Sequence, residues 1–201
     1  MRITLFNRIL LLVTCLLAAY QVVVGVNGLE NIPTIAYTIA FGVLLVAGLL
    51  IIILGYEVLD SPIVVVVATV IPLSLSLGLV WEHISSVRLP YLIFAVTGLL
   101  AIIVTRSLPL PGRISTFVLT IVHGLAGLTV FLLPSVLAAQ GSANPGFGLV
   151  GLGGALIGLG GLLLYFLKTG RPIVSREIIL RILPGIFLLM TIAFVTGFAL
   201  A

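Results

Sequence analysis

The chain has 201 residues, of which 62% are hydrophobic and 7% charged; soluble domains carry about 25% charged residues. That composition excludes a water-soluble fold with a polar shell and points to an integral membrane protein. The net charge of +4 rests on nine Lys and Arg that sit singly or in small groups at the ends of apolar runs. This is the pattern of membrane topology and not of a nucleic-acid-binding stripe. The one cysteine, Cys15, lies within an apolar run and has no partner for an internal disulfide.

Each crossing needs about 20 mostly apolar residues. In chain order the spans fall at 5–26, 33–55, 62–82, 90–106, 114–137, 147–167 and 178–200, which predicts an all-α seven-helix bundle as a single domain over 1–201. The first run follows Arg2 and Arg8 like a signal peptide. It continues through Val26, however, and its LVTC is a poor lipobox because Thr14 is too large, so it reads as the first membrane helix. The breaks NGLENIP, DSP, VRLP, LPLPG, GSANPG and TGRP carry turn chemistry. Pro33, Pro62 and Pro90 fall at helix starts, where a missing N–H costs little.

Assigning alternate faces puts Arg2, Arg8, Arg106, Arg113, Lys168, Arg171, Arg176 and Arg181 with the N-terminus and leaves Arg88 alone opposite. Basic residues favour the cytoplasmic side, so the N-terminus is expected inside and the C-terminus outside. Glu57 and Asp60 lie on the same inner rim, where acidic residues count for little. With Arg106, Arg113, Arg171, Arg176 and Glu177 they form either a solvated rim or a docking surface for a partner. Trp81, Glu82, His83 and Arg88 cluster at the outer interface, where Trp81 fits the aromatic belt.

Within the third span, Pro72 interrupts a helix; Pro134 and Pro184 do so in the fifth and seventh. Each removes a backbone hydrogen bond and is a candidate gating kink or a shaping element. The fifth span also holds His123, the clear case of an ionisable side chain near mid-membrane, which is a functional position by default. Its imidazole could bind haem or chlorophyll, relay protons, or simply bond a neighbouring helix. Gly124 and Gly127 beside it leave room for a flat ring, and His83 is too far along the membrane normal to be a second axial ligand.

The sixth span opens with GFGLVG, which matches the G-x-G-x-x-G dinucleotide fingerprint. That motif needs a preceding strand and an acidic residue about 20 residues on; here the flanks are apolar and the next acid is Glu177. Gly151, Gly154, Gly158 and Gly161 instead share one helical stripe, the small-residue mode of membrane helix packing, or a groove for a lipid tail, quinone or pigment ring.

An internal echo runs through the chain. RITLF at 2–6 resembles RISTF at 113–117, AGLL at 47–50 resembles GGLL at 160–163, SPIV at 61–64 resembles RPIV at 171–174, and Pro72 pairs with Pro184. These offsets suggest two parallel three-helix repeats, helices 1–3 and 5–7, joined by helix 4. A second register, AGLLIIIL at 47–54 against TGLLAIIV at 97–104, suggests repeating hairpins instead. Parallel triplets with a linker helix occur in small sugar transporters of the SWEET type. The likeness is one of architecture, and their Pro-Gln pair does not occur in this chain.

Enzymatic constellations are missing: there is no H-E-x-x-H, no G-x-S-x-G, no intramembrane carboxylate and no seventh-helix lysine for a retinal Schiff base. No metal site is expected, and no cofactor is required. The reading is a non-enzymatic accessory or scaffold subunit of a larger membrane complex, of respiratory or photosynthetic type, in the plasma membrane of a prokaryote or an equivalent energy-converting membrane. Its expected partners are lipids and other membrane subunits or a second copy of the chain. The alternative is a small transporter or channel for an apolar or weakly polar substrate. A polar cavity lined by Thr14, Gln21, Thr69, Ser74, Ser76, Thr120 and His123 would mark it. A haem or pigment protein using His123 is the third reading.

Overall fold

The computed structural model describes residues 3–26, 28–108, 112–168 and 173–201, apart from the side chains of Asp60 and Lys168. Arg2 of the first echo and Arg171 and Pro172 of the third lie outside them. Seven α-helices are long and apolar enough to cross a bilayer. They are α1 (Leu5–Val24), α2 (Asn31–Leu54), α3 (Pro62–His83), α4 (Arg88–Ser107), α5 (Gly112–Ala139), α6 (Gly148–Lys168) and α7 (Arg176–Ala199). Among the described residues there is no strand. The protein is a multi-pass integral membrane protein built as a seven-helix bundle.

Local chemistry sets the helix ends. Thr4 caps α1 by accepting from the Asn7 N–H at 3.2 Å, and Ser175 caps α7 by accepting from the Ile178 N–H. Helix α1 stops at Gly25 and α2 at Gly55, both at positive φ (68° and 83°), which glycine adopts without a Cβ penalty. Pro62 is the first residue of α3, whereas Pro33 and Pro90 sit two residues inside α2 and α4. At 28 residues α5 is the longest helix. At 1.5 Å per residue it spans about 42 Å, more than the roughly 30 Å hydrocarbon core, so its ends reach the headgroup layers.

Each helix is apolar on nearly every side, so facing is decided by packing. Neighbours in space follow the order α1, α2, α3, α5, α6, α7 and back to α1, a closed ring of six, with α4 outside on the seam between α3 and α5. The ring is two sequential triplets meeting at the α3–α5 and α7–α1 seams. Its interior is filled by Tyr37, Phe41, Leu75, Leu79, Phe147, Met190, Phe194 and Phe198. Phe41 meets Phe194 edge-on with centroids 6.4 Å apart, and Tyr37 lies 4.6 Å from Phe198. The outer surface is also apolar: Leu5 is 75% and Val23 85% exposed, which in lipid costs nothing.

One end of the bundle gathers Arg8, Arg106, Arg113, Arg176 and Arg181 and is here called the basic end; the other holds Trp81, Glu82, His83 and Arg88. The basic end is tied by a buried bond in which the Asn7 side-chain amide donates to the Tyr56 hydroxyl at 2.9 Å. It joins the first turn of α1 to the 3₁₀ turn that follows α2. Burial pushes the Tyr56 phenol up, partly offset by the Asn7 amide, so it stays neutral at physiological pH.

Candidate functional site: the cleft between α5 and α6

Polar residues inside the ring do not form a path. Thr14 donates to the Leu10 carbonyl, Thr69 to Val65, Ser76 to Leu73 and Thr191 to Phe187, each within its own helix at 2.7 to 3.0 Å. The Gln21 amide donates to the Gly25 carbonyl at 2.7 Å, closing the end of α1. These groups are buried and satisfied one by one. Thr120 and His123 stand apart from them, on the side of α5 that meets α6. The seven residues that would line a central transport cavity are therefore not brought together.

At the end opposite the basic one, the interfacial cluster is real and larger than Trp81, Glu82, His83 and Arg88. The Trp81 indole donates to Glu30 at 2.9 Å, and Arg88 pairs with Glu30 at 3.3 Å while lying over the Trp81 ring. The buried Tyr37 hydroxyl donates to Glu82 at 3.3 Å, and His83 packs on Phe147. Sequence reading missed Glu30 and Tyr37. The signal available was their place at the start of the second span, Glu30 as the N-cap of α2 and Tyr37 in its second turn. The cluster is a clamp between α2, α3 and the start of α4; among the described residues no three His, Cys, Asp or Glu could hold a metal ion.

Of the basic rim, Arg171 and the side chain of Asp60 lie outside the described residues. Arg181 pairs with Glu177 on its own helix at 2.8 Å, while Glu57, Arg8 and Arg113 are exposed.

The glycine stripe of α6 behaves differently along its length. A Cβ placed on Gly154 would lie 2.7 Å from the Phe131 nitrogen and 2.8 Å from the Val130 carbonyl carbon, and one on Gly151 would strike Ser135. There the backbones of α5 and α6 touch, as small-residue packing requires. Further toward the basic end the helices part. A Cβ on Gly158 meets nothing within 4 Å, nor does one on Gly127, its counterpart in register on α5. At Gly161 the nearest atom is His123 Nε2, at 3.8 Å. Beyond His123 the parting widens into a groove of about 430 Å³ lined by Gly112, Arg113, Thr116, Phe117, Thr120 and Tyr165.

Arg113, Thr116, Thr120, His123 and Gly127 are spaced 3, 4, 3 and 4, one stripe of α5. Facing them, Tyr165, Gly161, Gly158, Gly154 and Gly151 form the matching stripe of α6. The result is a wedge, sealed at Gly154 and open to lipid at the basic end. Comparison with protein families, curated proteins and solved structures gave no match. The wedge is thus read from its own chemistry. It has hydroxyls and a guanidinium at the mouth, bare backbone at the apex, and one imidazole between.

Of the three interrupting prolines, Pro72, Pro134 and Pro184 are all buried, in α3, α5 and α7. In the ring α3 and α5 are neighbours, while α7 lies between α6 and α1.

Proposed function

We infer that the protein is a non-enzymatic accessory or scaffold subunit of a larger membrane complex, of respiratory or photosynthetic type, in a prokaryotic plasma membrane or its equivalent. The closed core carries this reading. With an aromatic plug in the ring and the buried hydroxyls of Thr14, Thr69, Ser76 and Thr191 each bonded to its own helix, the described residues offer no polar route across, and what the chain can present is its lateral surface. Helix α4 buries only Ala95, Gly98 and Ile102 and turns Leu89, Ile93, Val96 and Leu100 outward. On α2 and α5, a Cβ on Gly42 or Gly124 would meet nothing within 4 Å, so a helix of another subunit could approach their backbones closely. The basic end would face the cytoplasm.

Purification of the tagged chain from its own membranes in a mild detergent tests this. Membrane proteins should travel with it in fixed ratio, and their assembly should be depleted when the chain is deleted. A chain recovered alone, from membranes cross-linked before extraction, would remove the basis for the reading.

Transport of an apolar or weakly polar substrate is the second reading. It is favoured by the three buried prolines, which weaken three of the six helices of the ring where a closed core would have to open, and by the echo between α1–α3 and α5–α7. Proteoliposomes holding the chain alone would then release an entrapped solute, and Pro72→Ala with Pro184→Ala would slow that release several-fold.

A further inference from the structure

We propose that the α5–α6 wedge binds a lipid-soluble ring compound with a hydrogen-bond-accepting carbonyl, of the quinone class, and that His123 donates to that carbonyl. Three independent features converge on this ligand. The first is open space: the register set where Gly154 meets Phe131 and Gly161 meets His123 places Gly127 opposite Gly158, one turn from His123, and a Cβ on either would meet nothing within 4 Å. With no side chain on either glycine, a planar head can lie against the backbones there. The second is His123 itself. Its imidazole has no hydrogen-bond partner among the described residues, although nearly every other polar side chain of α5 bonds a helix carbonyl or a neighbouring hydroxyl. A polar group at that depth, away from water, gains most from a partner that arrives within the bilayer. The third is the access route, the groove of about 430 Å³ running from Thr120 and Tyr165 down to Arg113 and open to lipid.

Depth decides between ligand classes. His123 lies ten residues from Arg113 on the same helix, about 15 Å along its axis. A phospholipid anchored at Arg113 keeps its phosphate and esters near the interface and offers His123 only hydrocarbon. A ring carbonyl on an apolar tail puts its acceptor at His123 depth, its flat head between Gly127 and Gly158, and its tail down the groove. The neutral imidazole supplies one N–H, which matches a carbonyl acceptor and requires no charge in the membrane. This site is a property of the chain alone and stands or falls separately from the subunit reading.

The test is equilibrium binding of tritiated decylubiquinone to the full chain in phosphatidylcholine nanodiscs, with helix content and melting followed by circular dichroism. Wild type should bind saturably at one molecule per chain. His123→Leu should weaken binding at least ten-fold, and His123→Gln, which keeps an N–H donor, should recover part of it. Gly158→Leu fills the open space without touching the imidazole and should abolish binding; Gly42→Leu, on the lipid face of α2, should leave it unchanged. Should His123→Leu fail to fold, the comparison of Gly158→Leu with Gly42→Leu decides. Absence of saturable binding to folded wild type overturns the proposal. So does equal affinity in wild type and Gly158→Leu, or loss of binding in Arg113→Gln with none in His123→Leu, which would assign the groove to an anionic lipid. A His123-dependent porphyrin absorbance in the purified chain would overturn it too.

Discussion

Gly154 and Gly158 lie one turn apart on the same stripe of α6, and the same substitution should have opposite consequences at the two. Alanine at Gly154 forces a methyl to within 2.7 Å of the α5 backbone, where nothing flexible can yield. Overpacking of this kind costs about 1–3 kcal/mol. Alanine at Gly158 meets open space and removes a glycine from a helix interior, which favours the helix by roughly 0.5–1 kcal/mol. Thermal unfolding in detergent should therefore place Gly154→Ala below wild type and Gly158→Ala at or above it. Two equal shifts would mean that the helices do not part between those positions. The sequence placed both glycines on one stripe because that needs only the period of the helix. That one seals a seam and the other opens it depends on residues of α5 some thirty positions earlier.

Between elements, the bond from Asn7 to Tyr56 joins α1 to the turn after α2 across 49 residues of chain. Both groups are buried, so Asn7→Leu strands the phenol and Tyr56→Phe strands the amide. Each substitution should cost about 1 kcal/mol, while the double variant should cost less than the sum by about 0.5–1.5 kcal/mol. A strictly additive double variant would show that water satisfies both groups. No sequence signal pointed to this pair, since Asn7 and Tyr56 are each unremarkable at the edges of apolar runs. The helices themselves were legible, with boundaries within about three residues, because long apolar runs punctuated by Gly, Pro and Asn leave few alternatives. The outer cluster was half legible: Trp81, Glu82, His83 and Arg88 are close in sequence, but Glu30 and Tyr37 join them only when α2 lies beside α3.

For the whole molecule, seven crossings put Leu5 and Ala199 on opposite sides of the bilayer, and the arginine bias predicts that the basic end faces inward. In a Cys15→Ala background, Ser142→Cys should react with a membrane-impermeant maleimide on intact cells, whereas Glu57→Cys should react only after permeabilisation; both positions are exposed, at opposite ends of the bundle. Labelling of both on intact cells would mean an even number of crossings between them, and the reverse pattern would invert the orientation.

The sequence by itself determined the solvent, the number of crossings and the expected orientation, because apolar length and the placement of arginines act one segment at a time. It could not determine which way each helix faces. A helix that is apolar all round carries no stripe to choose a direction, so the ring, the exclusion of α4 from it, the aromatic plug and the wedge beside His123 were decided only when glycines and phenylalanines of distant helices packed against one another.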